Sequence, residues 1–172
     1  MRVLIAGIGN VFMHDDGCGS FLAQALEGKV EADVRDFGTG GISLIEEIEK
    51  YDVVIILDIA DIKEDIKVFE VNDINEDDVV QTVLSMVFGG SHGLGIEDVL
   101  TILKSLGSKL KIILLTCKPK VLSPGIGLSD ECKNNALLAV DELRKVLSKF
   151  NIKVDTEGTK KALIENLKKW ES

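Results

Sequence analysis

Three short stretches carry side chains that could do chemistry together. Asp15 and Asp16 stand near the end of "GIGNVFMHDDGCG" (residues 7 to 19), just after an apolar run. Asp58 closes the apolar run "VVIILD". His92 sits in the glycine-rich stretch "GGSHGLG". If the loops bearing them emerge on one rim, two carboxylates and an imidazole converge. Three protein ligands leave positions open for water or substrate, as a catalytic divalent metal site requires. Imidazole with carboxylate suits nickel, zinc or iron better than copper(I), which prefers sulfur. Each residue also has a plainer role. Asp15 or Asp16 could simply cap the following helix. Asp58 could be a turn residue, but an acid abutting five apolar residues loses solvent and needs a partner. His92 lies among glycines rather than on an apolar face, which weakens the reading of a core histidine. The remaining histidine, His14, is expected to face solvent.

The glycine turn invites comparison with nucleotide sites. Gly7-Ile8-Gly9 supplies two glycines of a dinucleotide fingerprint, but Phe12 occupies the third position. Its bulk would block close helix packing and crowd a pyrophosphate. No Walker lysine is present, so no nucleotide is expected. A phosphoacceptor receiver is a rival reading, since Asp15-Asp16, Asp58 and Lys118-Pro119 occur in that order. In receivers, however, the acid pair directly ends the first strand. Here Thr116 and Lys118 would also share one strand, and His92 would have no role.

The elements that must position these residues alternate along the chain. "RVLIAGI" reads as a buried strand, and a helix follows from about Gly17, with Phe21, Leu22, Ala25 and Leu26 on one face and Gly28 as its stop. "VEADVRDF" is a second strand that ends at Gly38-Thr39-Gly40-Gly41. Ser43 and Glu46 have capping-box spacing for a second helix. "YDVVIILDI" shows five consecutive apolar residues, as a central parallel strand buried on both faces would. "DIKVFEV" alternates more and fits an edge. Residues 73–88 are ambiguous, with a short helix possible over "EDDVVQTVLSMV". "IEDVLTILKSL" is expected to be a helix and "KIILLTC" the last core strand. After the loop "KPKVLSPGIG", Ser129 is placed to cap a long helix reaching about Lys149, with Asp130 and Glu131 at its positive end. In "TKKALIENLKKW" the residues Leu163, Ile164, Leu167 and Trp170 share a helical face that should pack on the domain.

This order predicts an α/β fold: a twisted, mostly parallel five-stranded sheet between helices, with ligands at the carboxyl ends of the strands. At 172 residues the chain fits one domain, with 151–172 as its C-terminal helical extension. The net charge of -9 argues against a nucleic-acid surface. No apolar run is long enough for a bilayer, and the N-terminus lacks a signal-peptide pattern, so a cytoplasmic protein without a membrane partner is expected. Cys18, Cys117 and Cys132 are odd in number and widely spaced, which suits neither a disulfide framework nor a structural zinc site.

Taken in order, the motifs resemble a known family. "GIGNVFMHDDGCG", "GTGG", "ILDIAD", "SHGLG" and "SPGIGLSDE" are similar to those of the hydrogenase maturation proteases, over about residues 1–150. These endopeptidases trim the large subunit of nickel-iron hydrogenases. The versions of "GTGG" and "GGSHGLG" look like the branch acting on F420-reducing hydrogenases. The resemblance implies a three-layer sandwich of the phosphorylase/hydrolase-like kind and an aspartyl-type endopeptidase. It implies a metal bound by Asp16, Asp58 and His92, with Asp16 preferred over Asp15 because it directly precedes the glycine. The metal implied is nickel already inserted in the precursor, after which the C-terminal extension is removed. Gly38, Thr39, Gly40 and Gly41 would let the substrate backbone approach. The partner implied is the hydrogenase large-subunit precursor. A non-catalytic nickel-checkpoint protein is a further alternative. The chain departs from many relatives at "TCKPKVLSPG", where Cys117 and two lysines replace a Gln-Pro element.

Overall fold

The computed structural model describes residues 1–70 and 110–172. The elements in order are β1 (Val3–Ile8), a 3-10 turn (His14–Gly17), α1 (Cys18–Leu26), β2 (Asp33–Gly38), α2 (Gly41–Ile48), β3 (Val53–Ile59), β4 (Ile66–Glu70), β5 (Lys111–Cys117), α3 (Asp130–Ser148) and α4 (Thr156–Glu171). The five strands form one sheet in the order β2-β1-β3-β5-β4. β1, β2, β3 and β5 run parallel, and β4 lies antiparallel on β5.

Every residue of β1 and β3 is buried. Unbroken apolar runs have this pattern because a central parallel strand is covered on both faces. Successive side chains point to opposite faces and divide the core. Val3, Ile5, Ile55 and Leu57 meet Phe21, Leu22 and Leu26 of α1, Leu143 and Leu147 of α3, and Leu163 and Leu167 of α4. Leu4, Ala6, Val54 and Ile56 meet Leu44 and Ile48 of α2. The expected three-layer α/β architecture is thus observed.

The edge position expected for β4 is also observed, and its direction follows from chain length. The link 60–65 is far shorter than the dozen or more residues that a crossover between parallel strands needs. The chain must therefore run back down the sheet, past the end of β5. Ala60 N donates to Cys117 O, and Lys118 N donates to Asp65 O, tying the link to that end.

Three local expectations change. β2 starts at Asp33 rather than Val30, because Val30 forms an isolated bridge with Val154. α2 begins at Gly41 with Gly40 as its N-cap and no side-chain cap. Ser43 lies inside the helix, so the capping box is absent. The turn from Phe37 O to Gly40 N leads directly into the first helical turn and leaves no role for the serine. In α4, Leu163 and Leu167 are buried, whereas Ile164 is exposed. Two expected caps do form. Gly28 follows α1 with φ +75°, and Ser129 Oγ accepts from Cys132 N at 3.2 Å. The ambiguous stretch 73–88, the loop "FGGSHGLG" and the helix "IEDVLTILKSL" lie outside the described residues.

Candidate functional site

The glycines after β1 serve close packing. A Cβ on Gly19 would collide with the carbonyl oxygens of Leu57 and Ile8, and one on Gly7 with Gly19 O and the Ala23 side chain. α1 therefore rests against the backbones of β1 and β3, and its first turn is set at the carboxyl rim of the sheet. Gly19 performs the packing that a dinucleotide fingerprint would assign to its third glycine. Phe12, which holds that position in the sequence, projects outward and is 60% exposed.

The 3-10 turn ahead of α1 separates the acid pair. Neither acid caps α1, whose N-cap is Gly17 without a side-chain bond. Asp15 turns inward and is fully buried. Its Oδ2 accepts from Lys120 N, Val121 N and Ser129 Oγ at 2.8, 2.8 and 2.7 Å. Its Oδ1 accepts from Ser129 N at 2.7 Å. Burial alone would raise its pKa, but the bonds from Val121, Ser129 and Lys120 outweigh this and hold the carboxyl below its usual range. His14 is half-buried rather than solvent-facing: its Nδ1 donates to Gly127 O at 3.2 Å. Its ring fills the space that a side chain on Gly125 would need. Asp15 and His14 together latch the 120–129 loop onto the turn. Sequence reasoning missed this role, since the donors lie more than a hundred residues away.

Asp16, the other acid, points toward the rim. It is half-buried, and its Oδ2 accepts from Asn10 N at 3.2 Å. Burial raises its pKa. Asp58, near the end of β3, is only 4% exposed. Its Oδ1 accepts from Ile59 N at 2.7 Å. Burial, then the nearby charge of Asp16, pushes its pKa well above the carboxylate range. The two carboxylates thus come from the turn after β1 and from the neighbouring strand β3, and the charge of Asp16 reaches Asp58. Among the described residues, no lysine or arginine appears among the groups that shift Asp58, and no cluster of three His, Cys, Asp or Glu side chains could hold a metal ion. His92 lies outside the described residues.

The geometry does not favour a receiver. Thr116 pairs with Asp58 in register, but its hydroxyl donates to Lys67 O at 2.8 Å on the neighbouring strand. Lys118 is exposed. The three cysteines, distant in sequence, gather in the core as free buried thiols. Cys117 and burial, together with the charge of Asp58, keep the Cys18 thiol well above its usual pKa, so it is not a poised nucleophile.

The Gly38-Thr39-Gly40-Gly41 segment lies across from the Asp16 turn. Gly9 N donates to Gly38 O at 2.9 Å, joining the two loops. Gly38 has φ +53°, a left-handed conformation that favours glycine. A groove of about 500 Å³ lies between the loops, lined by residues that include Gly9, Phe12, Asp36, Gly38 and Trp170.

The comparisons with known proteins agree with this arrangement. Residues 18–146 match the family model HycI, described as hydrogenase maturation protease. The chain belongs to the hydrogenase maturation protease family. A curated family member, the hydrogenase 2 maturation protease of Escherichia coli (strain K12), is 30% identical over 134 residues, covering 75% of this chain and 80% of that one. A solved hydrogenase 2 maturation peptidase from a Thaumarchaeota archaeon is 31% identical, covers 86% of this chain and 99% of its own, and superposes with a TM-score of 0.63. The E. coli maturating endopeptidase HybD is 26% identical, covers 89% of this chain and 96% of its own, and gives a TM-score of 0.70. The family model starts just beyond Asp16 and spans Asp58 and His92. The protein is accordingly a peptide-bond hydrolase of hydrogenase maturation.

Proposed function

We infer that this chain removes the C-terminal extension of a nickel-iron hydrogenase large-subunit precursor after nickel insertion, with Asp16, Asp58 and His92 engaging that nickel. The observation that carries this reading is the Asp16–Asp58 pair. Both carboxylates are desolvated, the charge of Asp16 reaches Asp58, and no cation among the described residues shifts either, so a divalent cation would relieve both. Burial favours the protonated form of these carboxyls, and binding a metal would displace the proton. Nickel is therefore treated as part of the substrate, and cleavage becomes conditional on its insertion. His92 joins the set from its motif. Hydrolysis adds water across one peptide bond, with the hydroxyl going to the acyl carbon and a proton to the leaving amine. Gly38, Thr39, Gly40 and Gly41 are assigned to the approaching substrate backbone, which side chains larger than glycine would keep at a distance.

The partner in this reading is the precursor, and the motif versions point to the F420-reducing type. Three free thiols packed side by side suit a reducing compartment, so we place the reaction in the cytoplasm. Among the described residues, no helix is long and apolar enough to cross a membrane. The test mixes the protein with nickel-loaded and nickel-free precursors and follows the precursor's mass. Loss of the extension only from the nickel-loaded form is expected, and no cleavage of either form sinks the reading. Asp16→Ala, Asp58→Ala and His92→Ala should each abolish processing in folded protein. Full activity in any two would refute the shared site.

A further inference from the structure

α4 lies beyond the residues matched by the family model, yet it reaches the rim beside Asp16. Trp170 sets its ring edge-on against Phe21 of α1, with centroids 5.8 Å apart. On its other side it meets Phe12 of the motif loop at 6.3 Å and 74°. Phe12 is 60% exposed and Trp170 is 36% exposed, so the core does not consume this aromatic pair. The rings form one wall of the groove of about 500 Å³, and Gly9 and Gly38 bring its other side up to the loop after β2. That size falls within the usual range for ligand pockets. Its polar groups are largely committed internally. Asp36 Oδ1 accepts from Gly38 N at 2.9 Å, and Oδ2 accepts from Gln24 at 3.0 Å. Ser20 Oγ donates to Gly9 O. The rings therefore remain as the main surface available for recognition, and they select apolar contact.

The groove is also continuous with the acid site. Asn10 lines it, and Asn10 N donates to Asp16 Oδ2. A polypeptide placed for cleavage at Asp16 must pass over this same rim. Resting on the endopeptidase reading, we propose that the Phe12–Trp170 wall is a specificity subsite that takes an apolar side chain of the precursor segment flanking the scissile bond. The C-terminal helix then contributes to substrate choice as well as to the fold. Binding such a side chain covers ring surface now open to water.

The test uses Phe12→Ala and Trp170→Ala in the full chain, with nickel-loaded precursor as substrate. Each should raise KM about ten-fold or more while kcat stays within about two-fold, the pattern of lost ground-state binding. Phe12→Ala is the safer variant, since Phe12 is 60% exposed and lies outside the core clusters. Trp170 is the sole tryptophan of the chain, so incorporating 5-fluorotryptophan gives a single fluorine signal. That signal should shift when precursor is added. Wild-type cleavage with unchanged KM in Phe12→Ala, or a fluorine signal indifferent to precursor, overturns the subsite and leaves the protease reading intact. A signal that moves with protease concentration alone assigns the groove to a second copy and also overturns it. If the wild type cleaves no precursor, the protease reading fails and takes the subsite with it.

Discussion

Adjacent residues Asp15 and Asp16 have the same chemistry and opposite environments. Asp15 is stabilised as an anion by four donors, so its folded pKa is depressed. Such a group contributes stability above the unfolded carboxylate pKa and loses it as pH falls through the folded value. Asp15→Ala would leave three backbone N–H groups and a hydroxyl without their acceptor, costing about 3 kcal/mol. Chemical denaturation at neutral pH checks the loss, and the difference from wild type should shrink toward the acid limb. Asp58 has the opposite sign. Its folded pKa is raised, so stability is fullest below the unfolded pKa and falls as pH rises through the folded value. Asp58→Asn removes a carboxyl whose ionised form burial penalises. It should raise the melting temperature at neutral pH while abolishing precursor processing, a trade between stability and activity. A melting temperature below wild type would contradict the desolvated-carboxylate account. The sequence offered one acid of the pair as a cap for α1, which neither provides; the structural role that Asp15 does take rests on donors at 120–129, remote in the chain. Asp58 was legible because the apolar run before it predicted burial.

At the scale of elements, the motif after β1 works through the meeting of α1 with β1 and β3. Gly19 lets the first turn of α1 sit on the backbone carbonyls of Leu57 and Ile8. Gly19→Ala introduces a collision with rigid backbone, which costs at least about 3 kcal/mol or forces α1 off the sheet. Displacing α1 would move the turn bearing Asp16 relative to Asp58. Reduced stability together with reduced processing is therefore expected, read by thermal melting and the precursor assay on the fraction still folded. The strands were readable because apolar runs without alternation demand cover on both faces. The capping box at Ser43 was misleading because the Gly38–Gly41 turn runs straight into α2. Spacing alone does not show where a turn becomes a helix.

On the scale of the whole molecule, the chain ends return to its beginning. α4 packs on α1 and α3, burying Leu163 and Leu167 in the core cluster that includes Phe21 and Leu26. Leu163→Ala should cost about 2–5 kcal/mol through lost burial and the resulting cavity, measured by denaturant unfolding. A cost near zero would show that α4 is an appendage instead of part of the core. The same packing delivers Trp170 to Phe12 and so ties the motif loop to the C-terminus.

By itself the sequence determined the layer architecture, the central strands and the acids at their carboxyl ends. Hydrophobic periodicity and strand burial are local properties that a linear pattern records. The ordered motifs also determined the family. Only the tertiary structure decided which acid of the pair serves the fold, since that depends on the 120–129 loop folding over the turn. It also decided the direction of β4, set by a link too short for a parallel crossover, and the gathering of Cys18, Cys117 and Cys132 in the core. The aromatic wall joining Phe12 to Trp170 was beyond any spacing rule, because its two halves lie at opposite ends of the chain and meet only through the packing of α4 on α1.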